Sequence, residues 1–199
     1  MQDSGSIPTL ILASGSPRRQ DLLKKAGVIF SVISPDVNEL EAGALPARDL
    51  CLTNARLKAS AVAVTHPESL VLASDTVVSL DGVVFGKPVD LEEAAGNLRR
   101  FRNQTQEVMT GVVFQRGSEI EELIEISQVS FKNYSDQVIE DYLETVPVLD
   151  KAGGYAIQDH GEWLVEEIEG DYHNIVGLPL TKVLAHLAKL GFDLPQNDT

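Results

Sequence analysis

The 199-residue chain has a single cysteine, a single tryptophan, and only 16 basic residues against 30 acidic ones. With Cys51 alone, no intrachain disulfide can form, and a reducing, cytoplasmic setting is expected. A formal charge of −14 argues against nucleic acid or an anionic membrane surface as a partner, because each needs a basic face. No apolar run approaches the roughly 20 residues of a membrane-spanning helix. The start, Met1-Gln2-Asp3-Ser4-Gly5-Ser6, has neither the basic region nor the apolar stretch of a secretion signal. His66, His160, His173 and His186 are scattered without zinc-ligand spacing, and G-x-S-x-G is absent, so neither structural zinc nor a Ser–His–Asp triad is expected.

The charge that is present is uneven. Residues 1–110 carry 11 Lys/Arg against 13 Asp/Glu, whereas residues 111–199 carry 5 against 17. Basic groups able to meet an anionic ligand are therefore concentrated in the first half. With 43% hydrophobic residues the chain can bury a real core, and no linker divides it. One domain over residues 1–199 is expected, with poorly ordered ends at 1–8 and 193–199.

The pattern predicts strands over Thr9–Ala13, Val28–Ile33 and Leu70–Leu80, a hairpin turn at Asp81-Gly82 into Val83–Phe85, and further strands over Glu107–Gln115, Glu119–Phe131 and Trp163–Ile168. Ile120, Ile124, Ile126 and Val129 supply the apolar positions of the Glu119–Phe131 strand. Helices are predicted over Pro17–Ala26, Pro46–Thr65, Leu91–Phe101, Asp136–Thr145 and Leu180–Leu190. Alternating elements with hairpins between them imply an α/β or mixed architecture, a twisted sheet flanked by helices.

Several stretches could carry chemistry. In Leu12-Ala13-Ser14-Gly15-Ser16-Pro17-Arg18-Arg19 a strand runs through hydroxyls and glycine into a proline-started helix, where free N–H groups and the helix dipole favour an anion such as phosphate. An ordinary turn with solvated arginines reads equally well from that stretch alone. Asp75 ends an apolar run, where it could hold a hard cation or accept a proton from water, or simply cap local backbone. Glu39, in the loop Pro35–Glu39, offers another oxygen ligand. Asn54 and Lys58 lie one helical turn apart on one face. Lys87, in Gly86-Lys87-Pro88, could reach a phosphate, although the flanking spacing is not that of a P-loop. Asp150–Gln158 places paired glycines before an apolar stretch predicted to be a strand, ending in an amide able to read a base edge. Gly170–Leu180 reads as a polar loop entering the last helix.

Taken together, Leu12–Arg19, Asn54 to Lys58, Ser74-Asp75-Thr76, Gly86-Lys87-Pro88, Thr110-Gly111, Asp150–Gly153 and Gly177–Leu180 resemble, in order and spacing, the Maf family of nucleoside triphosphate pyrophosphatases. The resemblance spans about Leu10 to Leu190. It implies a two-lobed α/β fold with a central cleft, of the Maf/ITPase-like kind, in a homodimer. It further implies hydrolysis between the α and β phosphates with a divalent cation, Mg²⁺ or Mn²⁺. By position it implies that Asp75 is the proton acceptor, that Glu39 is the second acid and shares the metal with it, and that Ser14, Ser16, Arg19, Lys58 and Lys87 face the phosphates. Arg18, Thr76 and Gln158 fall where the family varies with the base. Pro-Arg-Arg, Asp-Thr and Tyr-x-Ile-Gln are similar to the branch acting on dTTP and UTP. Two places depart from the family pattern: Asp159-His160 intervene between Gln158 and Gly161, and Arg102-Asn103-Gln104 replaces a Ser-Gly turn. A nucleotide-binding regulator of cell division that does not cleave its ligand would use the same cationic cleft, and removal of the terminal phosphate is a third possibility.

Overall fold

The computed structural model describes residues 9–192 and residue 194; of the ends expected to be poorly ordered, residues 1–8, 193 and 195–199 lie outside the described residues. The sheet contains β1 (Leu10–Leu12), β2 (Ser31–Val32), β3 (Leu70–Leu80), β4 (Val83–Phe85), β5 (Thr105–Arg116), β6 (Glu119–Phe131) and β7 (Val165–Glu169). The helices are α1 (Pro17–Lys25), α2 (Ala47–Ala63), α3 (Leu91–Phe101), α4 (Asp136–Thr145), α5 (Tyr172–Val176) and α6 (Leu180–Lys189). Strand order is β2-β1-β3-β5-β6-β7, with β4 also on β3. β1 pairs in parallel with β2 and β3, and the remaining pairs are antiparallel.

Every residue of β3 but Thr76 is buried. A strand covered on both faces has to be apolar nearly throughout, which is why its sequence shows a run rather than an alternation. β3, β5 and β6 are long enough to pass through two lobes. In one lobe Leu10, Leu12, Leu70, Leu72, Val112 and Phe114 meet Leu22 and Leu23 of α1 and Val183 and Leu187 of α6. On the opposite face Ile11, Ala13, Val71, Ala73 and Val113 meet Ala55, Ala59 and Val62 of α2, where small side chains let the helix lie close to the sheet. In the other lobe Val78, Val108, Val129 and Phe131 meet Leu98 and Phe101 of α3 and Ile139 and Tyr142 of α4. Each large apolar side chain so enclosed contributes roughly 1.5–3 kcal/mol.

Local signals work as their chemistry dictates. Asp81 and Gly82 take φ of 51° and 78°, the positive values the tight β3–β4 turn requires. Asp90 caps α3 by accepting from the Glu93 N–H at 2.8 Å, and Ser135 caps α4.

The sequence expectations fail in four places. The Val28–Ile33 strand shrinks to Ser31–Val32, because Val28 turns inward and its N–H bonds back to the Leu23 carbonyl. Ile120 and Ile126 are 47% and 39% exposed, since β7 reaches only Gln128–Phe131 and the first half of β6 has cover from fewer neighbours. Tyr155–Gln158 forms no strand and instead follows a 3₁₀ turn at Ala152–Gly154. Within the polar loop from Gly170, α5 forms under an Asp171 cap that accepts from the His173 N–H.

Candidate active site

The cleft lies where one edge of β3 is left open. β5 pairs with Val71–Ser79 along one side; on the other, β1 covers Leu70–Leu72 and β4 covers Val78–Leu80. Ser74–Val77 lie in the gap between the end of β1 and the start of the β4 pairing. Successive strand side chains point to opposite faces, so Asp75 turns toward α2 and Thr76 toward α1 and α5. With no neighbouring strand at that edge, both reach the same cavity of about 860 Å³. The loop after β1, carrying Ser14, forms one wall, and the segment after β4, carrying Lys87, forms another. Ser14, Ser16, Arg18, Arg19, Glu39, Lys58, Asp75, Thr76, Lys87 and Gln158 all line this cavity.

Its acidic centre is built around one ammonium. Lys58 Nζ lies 2.7 Å from Asp75 Oδ1 and 2.6 Å from Glu39 Oε2. Lys58 and Asp75 are buried, while the Glu39 side chain is 41% exposed, so Glu39 is the arm that reaches solvent. Asn54, one turn before Lys58, grips the backbone of Leu40: its Oδ1 accepts from the Leu40 N–H at 2.8 Å and its Nδ2 donates to the Leu40 carbonyl at 3.0 Å. The same Nδ2 lies 3.4 Å from Asp75 Oδ2. The amide thus holds the loop that presents Glu39, with both of its polar atoms engaged by the protein.

Close approach of α2 to the sheet makes this possible. Gly111, opposite Asp75 on β5, faces the helix so tightly that a Cβ there would lie 2.8 Å from Leu52 N and 2.9 Å from Cys51 C. Burial, and then the negative charge of Asp75, push the neighbouring Cys51 thiol up to about 11.

The cationic side is built with the same economy. Arg19 donates from Nε to the Gly177 carbonyl at 2.9 Å, from Nη1 to Ser14 Oγ at 3.3 Å and from Nη2 to Thr76 Oγ1 at 3.2 Å. Burial lowers the Arg19 guanidinium from its ordinary value, against the pull of Asp75. Arg18 crosses the cleft to Asp150, at 2.7 Å from Oδ2, and Lys151 Nζ meets Oδ1 of the same carboxylate at 2.7 Å. Partial burial pushes Asp150 up, but the hydrogen bonds from Lys151 and Arg18 outweigh it and hold the group at about 2. Ser16, at the start of α1, makes no capping bond with its own side chain, which leaves its hydroxyl to the cleft beside the free N–H groups of the first turn.

Gly111, Asp150 and Lys151 shape the site without having been assigned to it from sequence, whereas Asn54 stood there beside Lys58 as a group able to meet a ligand. The Asn-x-x-x-Lys spacing and the Thr-Gly and Asp-Lys pairs were visible. Arg18 and Asp150 are 132 residues apart, however, and no local signal announces their contact.

A family model described as Maf-like protein matches residues 9–190. The chain belongs to the Maf family. This Maf chain is 43% identical over 186 residues to a dTTP/UTP pyrophosphatase of Akkermansia muciniphila, covering 94% of the chain and 98% of that protein. It is 44% identical over 186 residues to one of Deinococcus radiodurans, covering 94% and 95%. It is 42% identical over 187 residues to one of Pyrococcus furiosus, covering 93% and 96%. Among solved structures, the Staphylococcus aureus Ham1 protein aligns with a TM-score of 0.51 at 16% identity over 89% of this chain and 99% of its own, a likeness of fold.

Proposed function

We propose that the cleft hydrolyses dTTP and UTP between the α and β phosphates, releasing the nucleoside monophosphate and pyrophosphate, and that the chain works as one Maf-like unit. The observation that carries this reading is the Lys58-bridged pair Asp75 and Glu39, standing in one cavity with Arg18, Arg19 and Lys87. Relatives across 93–94% of the chain bearing that activity in their names agree with it.

In this reading Ser14, Ser16, Arg19, Lys58 and Lys87 hold the triphosphate tail and offset the charge that builds on the leaving pyrophosphate. Asp75 Oδ1 is engaged by Lys58, whereas Oδ2 has only the long contact with Asn54. In this reading Oδ2 is the oxygen that takes a proton from the water that attacks the α phosphorus. Arg18, Thr76 and Gln158 meet the nucleoside.

Among the described residues no group of three or more His, Cys, Asp and Glu side chains is placed to hold a metal by itself. Glu39 and Asp75 supply two hard carboxylates, and the Lys58 ammonium fills the position between them; a divalent ion would take that position only once Lys58 swings to the phosphate tail. That donor set fits Mg²⁺ or Mn²⁺ once phosphate oxygens complete the shell. Bound there, the ion would polarise the phosphoryl oxygens. Dimerisation and a cytoplasmic location belong to the same reading and rest on the family likeness. The lone cysteine agrees with reducing surroundings, and among the described residues no helix is long and apolar enough to cross a membrane.

The test is incubation with dTTP or UTP and Mg²⁺ or Mn²⁺, with pyrophosphate and orthophosphate assayed separately. Pyrophosphate should appear first, and Asp75→Asn should keep nucleotide binding while turnover drops about 10²–10⁴-fold. Orthophosphate appearing first would indicate removal of the terminal phosphate, and binding without any product would indicate a regulator.

A further inference from the structure

Thr76 does not face the cavity as a free hydroxyl. Its Oγ1 lies 2.9 Å from the Oγ1 of Thr110, its cross-strand partner on β5, and 3.2 Å from Arg19 Nη2. Thr110 is fully buried, and its Oγ1 lies 3.1 Å from the backbone carbonyl of Asn174. That carbonyl is held in place, because the Asn174 side-chain Nδ2 donates to the Val108 carbonyl at 2.9 Å and to Ser127 Oγ at 3.0 Å.

Counting protons, together with the distances, gives the bonds in this chain a direction. A carbonyl only accepts, so the single proton of Thr110 goes to Asn174. Thr76 then donates its own single proton to Thr110, the nearer of its two acceptors. A guanidinium only donates, so Arg19 takes one lone pair of Thr76. What Thr76 has left for the cavity is a lone pair and no proton. The other partner within reach of its proton, the Gly177 carbonyl at 3.5 Å, is more distant and already accepts from Arg19 Nε at 2.9 Å.

An acceptor-only hydroxyl cannot bind phosphate oxygens, which are acceptors themselves. A nucleotide group that meets Thr76 directly is then a donor. Uracil and thymine both present an imide N–H between two carbonyls, whereas cytosine presents a bare ring nitrogen at that position. Resting on the dTTP/UTP reading above, we propose that Thr110 is a positioning residue that turns the Thr76 hydroxyl into an acceptor for the imide N–H shared by uracil and thymine. Selection against cytosine then originates one residue behind the cavity wall.

Thr110→Val keeps the shape and removes the nearest acceptor of the Thr76 proton; the Gly177 carbonyl, at 3.5 Å and already accepting from Arg19, competes for it only weakly, so the proton can turn into the cavity. The preference for UTP over CTP, taken as the ratio of kcat/KM values, should fall by about 10-fold, and Thr110→Ser, which keeps the hydroxyl, should restore it. A purely structural role would lower both substrates alike and leave the ratio unchanged, which would overturn the proposal.

Wild-type protein supplies a second measurement that needs no variant. N3-methyl-UTP, whose imide N–H is blocked, should lose affinity, while 3′-deoxy-UTP, which lacks the 3′ sugar donor, should not. The reverse pattern would make the sugar the donor and refute the imide assignment. All these comparisons can be made by equilibrium binding. A wild type that releases no pyrophosphate refutes the proposed activity, while an unchanged UTP-to-CTP binding ratio in Thr110→Val refutes the proton wiring.

Discussion

Adding one methyl group at Gly111 should disturb the proposed catalytic centre from behind. The new Cβ would lie 2.8 Å from Leu52 N, 2.9 Å from Cys51 C and 3.0 Å from Cys51 O, where ordinary contact begins at 3.4 Å. These are backbone atoms of α2 and cannot rotate aside. The helix has to retreat by roughly half an ångström, at a cost of about 1–3 kcal/mol typical of overpacking. Lys58 rides on the same helix, and its 2.7 Å bond to Asp75 lengthens with the retreat. Asp75 sits opposite Gly111 on the adjoining strand and does not follow. Misplacement on this scale should lower kcat/KM about 10- to 100-fold and the melting temperature by about 3–10 °C. Pyrophosphate release and a thermal melt read the two effects. Gly96→Ala in α3 is the control, since nothing lies within 4 Å of its added Cβ; removing a helix-interior glycine should stabilise by about 0.5–1 kcal/mol. A Gly111→Ala protein with wild-type melting and wild-type kcat/KM would refute the claim that this glycine sets the distance between α2 and the sheet.

Cys51, buried and pushed up to about 11, should resist a thiol-specific reagent at pH 8 while the protein is folded and react fully after denaturation; rapid labelling of the native protein would contradict its placement. Asp150, held at about 2, contributes stability that is fully present above its ordinary value near 3.8 and is lost as pH falls toward 2. Urea midpoints measured from pH 5 to pH 2 should therefore fall less steeply in Asp150→Asn than in the wild type, and parallel curves would mean that the Arg18–Asp150–Lys151 cluster is not coupled to folding.

Much of the fold was legible because its signals are local. The unbroken apolar run of Leu70–Leu80, the Asp81-Gly82 turn and the proline at the start of α1 each dictate backbone within a few residues. The failures arose where local pattern met a tertiary decision. Val28 has a strand-former's side chain but is drawn back under α1, and Ile120 and Ile126 alternate correctly on a stretch of β6 with too few neighbours to bury them. The paired glycines at Gly153 and Gly154 suggested a bend into a strand, but they lie inside the 3₁₀ turn Ala152–Gly154 and no strand follows over Tyr155–Gln158.

Residue identities alone set which groups were available: hydroxyls and arginines at the start of α1, an acid within an apolar strand, and a lysine one turn beyond an asparagine. They could not determine what those groups do to each other. That Lys58 stands between Asp75 and Glu39, that the Asn54 amide holds Leu40, and that Asp150 reaches Arg18 were decided by the tertiary structure alone. The physical reason is that a side chain's identity fixes its donors, acceptors and charge, whereas their directions depend on partners brought within hydrogen-bonding distance by the sheet. The open edge of β3 shows this best. Asp75 and Thr76 are adjacent and point to opposite faces, and they share one cavity only because β1 ends before them and β4 begins after them.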